Sequence, residues 1–144
     1  MESKKIRLLI DSDLGNVALV GVAVNKMCSF VAHPQLDPHD IELCVVEAVN
    51  NSIEHAYKNR SDQEVEVVLT LCADRLIVDV CDRGKRMDPA LLDLKNPSSL
   101  QANSVDLAGL AEEGRGLAII NEIMDQVSYE TRDGKNCLRM IKNL

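Results

Sequence analysis

The 144-residue sequence predicts an α+β fold of two layers, a mostly antiparallel mixed sheet with helices on one face. Two kinds of periodicity and the way the segments are joined carry this reading. Glu64 to Cys72 alternates, with Val65, Val67, Leu69 and Leu71 on one side, and Arg75 to Asp82 returns with Leu76, Val78, Val80 and Asp82 sharing a face. Two other stretches, near residues 13–32 and 41–57, repeat apolar residues at helical spacing. Most strands are linked by short hairpin turns with the helices between them, which fits a two-layer sandwich better than a doubly wound parallel sheet.

Lys4 to Ile10 reads as the first strand, followed by a helix from Ser12 or Asp13 to Ala32 that Pro34 bounds. Asp37-Pro38-His39-Asp40 is a strong helix start, with Asp37 as cap and Pro38 at the first helical position. The helix that follows, centred on Ile41 to Tyr57, buries Ile41, Cys44, Val45, Ala48 and Ile53 and ends near Lys58-Asn59. Periodicity fades from Arg83 to Glu113, apart from a short helix capped by Asp88-Pro89. A connection this long inside a compact domain is usually functional, often a lid. Glu113-Gly114-Arg115-Gly116 opens a last helix, and strands at Val127 to Thr131 and Asn136 to Ile141 meet at the Asp133-Gly134 turn.

Composition narrows the function classes. The chain is sized for a single domain, residues 1–144. With no Trp, one Phe (Phe30) and two Tyr (Tyr57, Tyr129), it lacks platforms for stacking bases. A formal charge of −7 argues against direct nucleic-acid or anionic-membrane binding and suits a basic protein partner. No charged-then-apolar leader is recognised, and no apolar run is read as approaching the ~20 residues that span a bilayer. The five cysteines, at 28, 44, 72, 81 and 137, show no CxxC pair and no metal-ligand spacing. They read as small core residues in a reducing cytoplasm.

Polar groups on otherwise apolar elements mark the candidate site. Glu47, Asn51 and His55 stack four apart on the central helix, and burying them unpaired would cost roughly 1–3 kcal/mol each. They either bond to neighbours or face a ligand, an amide oxygen for a metal ion and a carboxylate for a proton. Asp82 is either a carboxylate aimed inward at the end of a core strand or the opening residue of a turn with Arg83-Gly84. Gly114-Arg115-Gly116 at a helix start offers backbone N–H groups to phosphate, and is also an ordinary loop-to-helix junction.

Taken in order, Glu47-Ala48-Val49-Asn50-Asn51 with His55-Ala56-Tyr57, then Asp82-Arg83-Gly84 through Met87-Asp88-Pro89, then Gly114-Arg115-Gly116-Leu117 with Met124-Asp125-Gln126-Val127 behind it, make one pattern. It resembles the asparagine box and the two glycine boxes of the GHKL-type ATPases. Within them it resembles the bacterial anti-sigma-factor serine/threonine protein kinases of the RsbW and SpoIIAB type, over essentially the whole chain. The resemblance implies the Bergerat, or histidine-kinase-like ATPase, fold with an ATP lid. It also implies ATP or ADP and Mg²⁺ as cofactors, with Asn51 as metal ligand, Asp82 on the adenine amino group, and Glu47 as catalytic base. Gly84, Gly114, Gly116, Leu117 and His55 would line the nucleotide, with Arg115, Lys85 and Arg86 as charge neutralisers.

The implied function is phosphorylation of a STAS-fold anti-sigma-factor antagonist and sequestration of a sigma factor, in the cytoplasm. Related proteins are usually homodimers through the first strand and helix. Two positions depart from the pattern: Arg86 replaces a second glycine, and Cys137 stands where other members carry a Thr near the adenine. These substitutions motivate an alternative, a nucleotide-gated anti-sigma or adaptor protein without significant kinase activity. A sensor histidine kinase domain fits less well, because His55 lies inside the asparagine box and is a poor phosphoacceptor.

Overall fold

The computed structural model describes residues 2–93 and 107–144. Five strands, β1 (Lys4–Asp11), β2 (Glu64–Leu71), β3 (Arg75–Asp82), β4 (Gln126–Arg132) and β5 (Lys135–Asn143), form one open sheet in the order β1-β2-β3-β5-β4. Three helices, α1 (Val17–Val31), α2 (Pro38–Asn51) and α3 (Leu107–Ile123), complete the α+β architecture. Every adjacent strand pair is antiparallel, so the expected mixed character is not met. The reason is topological. β3 and β4 run the same way, and the tight β4–β5 hairpin inserts β5 between them.

Period-two burial places Val65, Val67 and Leu69 of β2, Leu76, Val78 and Val80 of β3, and Leu138 and Met140 of β5 on the helix side of the sheet. Asp82 follows the same alternation inward, as the sequence predicts, and is 8% exposed. Asp79, on the opposite face, accepts a paired hydrogen bond from Arg139 at 2.8 and 3.0 Å. The Asp133-Gly134 turn has both residues at positive φ, 53° and 76°, as a two-residue hairpin requires.

α1 is preceded by a 3₁₀ turn at Leu14–Asn16, where the Asp13 side chain accepts from the Gly15 N–H at 2.8 Å. The stretch from Leu14 to Val31 is, by length and composition, long and apolar enough to cross a bilayer, contrary to the sequence reading. Here Val17, Val20, Val24 and Cys28 of that stretch are buried in the same core as α2.

α2 starts as predicted, with Pro38 in its first turn and Asp37 accepting from the His39 N–H at 2.9 Å. It does not continue as one α-helix to Tyr57. Ser52–Ala56 form a π-helical turn, in which the Tyr57 N–H reaches five residues back to the Ser52 carbonyl at 2.9 Å. Lys58 and Asn59, both in the left-handed region, end the element.

Tyr57, only 2% exposed, ties this end of the helix to the sheet. Its hydroxyl donates to the Glu64 carbonyl at 2.6 Å and accepts from the Arg83 N–H at 2.7 Å. Tyr57→Phe leaves both backbone groups short of a partner, so its unfolding free energy in urea should fall by about 1–3 kcal/mol. A loss under ~0.5 kcal/mol would show that water replaces the hydroxyl there.

Candidate functional site

The register that closes the sheet brings Asp82 opposite Asn136, and Asn136 opposite Thr131. All three side chains bond along that row. The Asn136 amide donates to Asp82 Oδ1 at 2.9 Å and to the Gly84 carbonyl at 3.0 Å, while its own oxygen accepts from the Thr131 hydroxyl at 2.7 Å. Asp82 Oδ1 also accepts from the Gly84 N–H at 3.0 Å. Both readings of Asp82 are therefore realised: it opens the turn through one oxygen, and it lines a cavity.

That cavity, about 610 Å³, lies between the end of α2 and the inner face of β3, β4 and β5. Asn51, Ser52 and His55 line it from the helix side, and Val80, Leu138 and Tyr129 from the sheet. Lys85, Arg86 and Met87, from the segment after β3, also line it. The Asn51 side-chain nitrogen is buried and, among the described residues, has no hydrogen-bond partner. An orphaned amide is costly unless a ligand or water meets it, so the end of this side chain fits a polar group bound in the cavity.

Two glycines set how closely the walls approach. At Gly84 a Cβ would overlap the Ala56 carbonyl and come within 2.9 Å of the Ala56 Cβ, so only glycine lets this turn lie on the π-helical turn. The Lys85 N–H then bonds the same carbonyl at 2.9 Å. At Gly116 a Cβ would sit 2.7 Å from Glu47 Oε2 and 3.6 Å from Asn51 Nδ2. α3 thus presses its backbone against the acid and the amide that α2 carries at (i, i+4) spacing. Burial, reinforced by the nearby Glu54 charge, holds the Glu47 carboxyl above the usual carboxylate range.

Asn51, His55, Asp82 and Leu117 all line the cavity, and Gly84 bonds Asp82 at its edge. Glu47 is half-buried behind Gly116 and outside the lining, Gly114 is buried within α3, and Arg115 is exposed. The glycine pair does not open a helix. α3 begins at Leu107, so Gly114 and Gly116 are interior to it, and their N–H groups are not the free ones of a helix start. Pro89–Asp93 form the predicted short helix as a 3₁₀ turn, with Asp88 accepting from the Ala90 N–H at 3.0 Å. The rest of the predicted lid, residues 94–106, lies outside the described residues.

The cysteine reading is corrected. Cys81 and Cys137 are disulfide-bonded, while Cys28, Cys44 and Cys72 are free thiols. Cys137 also does not stand at the cavity. Alternation along β5 turns Asn136 and Leu138 inward and Cys137 to the opposite face, where it lines a different cleft. The residue beside Asp82 is Asn136, which the sequence reading missed. Its signal was there: Asn136 is in phase with Leu138 and Met140, a polar side chain on the core face of a strand. Tyr129, whose hydroxyl accepts from the Met87 N–H at 2.9 Å, was missed as well.

An antiparallel sheet packed against three helices makes this an α+β two-layer protein, with its cavity set between a helix-borne amide and a strand-end carboxylate. The chain belongs to the histidine kinase-like ATPase domain family, whose model matches residues 10–142. Membership implies an adenine nucleotide, ATP or ADP, as ligand. It is 28% identical over 129 residues to the serine-protein kinase RsbW of Bacillus velezensis, spanning 90% of this chain and 79% of that protein. It is 28% identical over 140 residues to the anti-sigma F factor of Clostridium botulinum, spanning 94% and 90% respectively. Among solved structures, the SiaB-SiaC complex from Pseudomonas aeruginosa shares the fold, with a TM-score of 0.61 at 14% identity, covering 96% of this chain and 89% of that one.

The two glycines should respond differently to an added methyl. Gly84→Ala meets backbone that cannot yield, and should lower the melting temperature by several degrees, the effect of about 1–3 kcal/mol of overpacking. Gly116→Ala meets only the end of the Glu47 side chain and gains up to ~1 kcal/mol of helix propensity. Its melting temperature should be unchanged or higher, and a loss as large as that of Gly84→Ala would show that the Glu47 carboxylate cannot move aside.

Proposed function

We propose that the protein is an ATP-dependent serine/threonine kinase of the partner-switching type, a single domain over residues 1–144 acting in the cytoplasm. Its substrate would be a Ser or Thr of a STAS-fold anti-sigma-factor antagonist, and it would sequester a sigma factor. The observation that carries this reading is the pairing of an anchored Asp82 carboxylate with an unpartnered Asn51 amide across one cavity. The family membership and the names of the relatives agree with it.

In this reading Asp82 accepts the adenine amino group, with Oδ1 already fixed by Asn136 and Gly84 so that Oδ2 is directed at the base. Val80, Leu138 and Met87 supply apolar walls for the ring, and Lys85 and Arg86 offset phosphate charge. Asn51 would hold Mg²⁺ through its amide oxygen, and the ion would supply charge neutralisation at the phosphates. Among the described residues no three His, Cys, Asp or Glu side chains cluster as a metal cage. Phosphate and water would therefore give the ion most of its oxygen ligands. Glu47, one helical turn before Asn51, accepts the hydroxyl proton of the incoming Ser or Thr. Its raised pKa suits a base, since proton transfer is most effective when acid and base strengths approach each other. Gly114, Arg115 and Gly116 would reach phosphate only if the α3 turns ahead of them unwind.

Glu47→Gln should abolish phosphoryl transfer to the antagonist while calorimetry still records ATP binding. In the wild type, transfer should fall with decreasing pH through a value above the ~4.3 of a free glutamate, because Glu47 is protonated below its raised pKa and cannot accept a proton. A Glu47→Gln enzyme as fast as wild type, with the same pH profile, would remove the base assignment.

The helical continuity of α3 through Gly114 and Gly116 favours a second reading, a nucleotide-gated anti-sigma or adaptor protein without kinase activity. Tight nucleotide-dependent sigma-factor binding with no phosphate transferred to any antagonist would select it. A homodimer is supported by the apolar surface shared by α1 and β1, where Leu19, Phe30 and Ile6 are 68%, 91% and 46% exposed. Light scattering should then give twice the chain mass for wild type and the chain mass for Phe30→Glu. A wild-type monomer at high micromolar concentration would exclude this.

A further inference from the structure

The Cys81–Cys137 disulfide lies on the sheet face away from the nucleotide cavity, and the proposed function makes no use of it. Its residues are directly opposed in the β3–β5 register, with Cα atoms 4.2 Å apart, close to the spacing of a non-hydrogen-bonded pair. The next pair in the register is Asp82 and Asn136, whose side chains turn to the other face and bond each other at 2.9 Å. The sulfur bridge and the clamp that fixes the Asp82 carboxylate are thus formed by consecutive residues on each strand.

The bridge is also open to reagents. It lines a cleft of about 660 Å³ across the outer face of the sheet, in which Lys5, Arg83, Lys135 and Arg139 stand beside Glu66 and Asp79. Six cationic and four acidic residues line it, so the sulfurs sit in polar surroundings with a small cationic excess. Cys81 is 4% exposed and Cys137 is half-buried, so attack from solvent meets the Cys137 sulfur first. The free thiols Cys28 and Cys44 are buried on the other side, with burial pushing them up to about 11 and about 12.

We propose that Cys81 and Cys137 form a reversible redox-modification site that sets nucleotide affinity by fixing the Asp82–Asn136 clamp. The proposal rests on the nucleotide reading of the cavity. Its oxidant class is a peroxide. The Cys137 thiolate attacks one peroxide oxygen to give a sulfenic acid and one water. Cys81 then displaces the hydroxyl as a second water, so two thiols lose two electrons and two protons as hydrogen peroxide becomes two waters. Its reductant class is a dithiol. One thiolate attacks the Cys137 sulfur, Cys81 leaves and takes a proton, and the second thiol closes the reagent's own disulfide while releasing Cys137 as a thiol. With the bridge closed, β3 and β5 are held in register beside the clamp and the carboxylate is preorganised. Opening it frees the pair to fluctuate and weakens nucleotide binding.

The test uses the full chain, with Mg-ATP calorimetry after equilibration in excess dithiothreitol or after treatment with hydrogen peroxide and its removal. Oxidised protein should bind ATP roughly fivefold more tightly than reduced protein, the scale of a lost preorganisation. Alkylation after denaturation should label three cysteines in the oxidised form and all five in the reduced form. A Cys81→Ser, Cys137→Ser double variant should bind like the reduced protein in both conditions. Because the wild type is compared with itself, the result stands even where that variant fails to fold. Five labelled cysteines after peroxide, equal affinities in the two forms, or a redox effect that persists in the double variant would each overturn the proposal while leaving the nucleotide reading intact. Absence of ATP binding in every form would overturn both.

Discussion

The fold puts a carboxylate at the end of a core strand, and the rest of the cavity depends on how that carboxylate is held. Asp82 keeps one oxygen fully engaged, by its own turn and by a side chain from the neighbouring strand. Among the described residues the hydrogen bonds to this buried acid all fall on that one oxygen, which gives the carboxylate a fixed direction and leaves acceptor capacity for a donor on a ligand. The clamp costs little to build because it uses the sheet register: Asp82, Asn136 and Thr131 fall in one row across β3, β5 and β4. Slipping any of these strands by one residue would turn the row to the outer face and empty the site.

On the facing wall the constraint is backbone proximity. The π-helical turn at Ser52–Ala56 allows α2 to end with Ser52, Glu54, His55 and Ala56 all on the cavity, which a continued α-helix would spread around its circumference. Gly84 then lies against that turn with no room for a side chain, so the helix end and the strand end are fixed to each other directly. Tyr57 closes the same junction from behind, through one hydroxyl bonded to β2 and to the residue after Asp82. The distance between the amide side and the carboxylate side of the cavity is therefore set by main chain and one phenol.

Much of this was legible in the sequence, for reasons that sort by range. Period-two alternation along β2 and β3 identifies Asp82 as inward-facing, the Asp37-Pro38 cap and the Asp133-Gly134 turn carry their own local chemistry, and the spacing of Glu47 and Asn51 is a property of any α-helix. What escaped depends on partners distant in the chain. Asn136 matters only because β5 pairs with β3, and nothing local to residue 136 reports that. The same pairing brings Cys81 against Cys137, cysteines 56 residues apart that composition alone reads as core thiols. Even so, alternation applied to β5 separates the two: with Leu138 and Met140 inward, Asn136 must face the cavity and Cys137 must not. The π-helical turn has no composition signal at all, since it differs from an α-helix by one extra residue in a ring.

The glycine pair of α3 shows two demands in competition. Glycine at residue 116 lets α3 lie directly on Glu47, since an added Cβ would come within 2.7 Å of the carboxylate and make that side chain move aside. In a helix interior each glycine also costs about 1 kcal/mol relative to alanine, so the turns through Gly114 and Gly116 are intrinsically the weakest of α3. The contact that brings the helix close to the acid thus also lowers the cost of unwinding it. Leu117 and Ile120, both fully buried, hold the following turns in the core. Close backbone approach to Glu47 and anchoring in the core are thus met by successive turns of one helix.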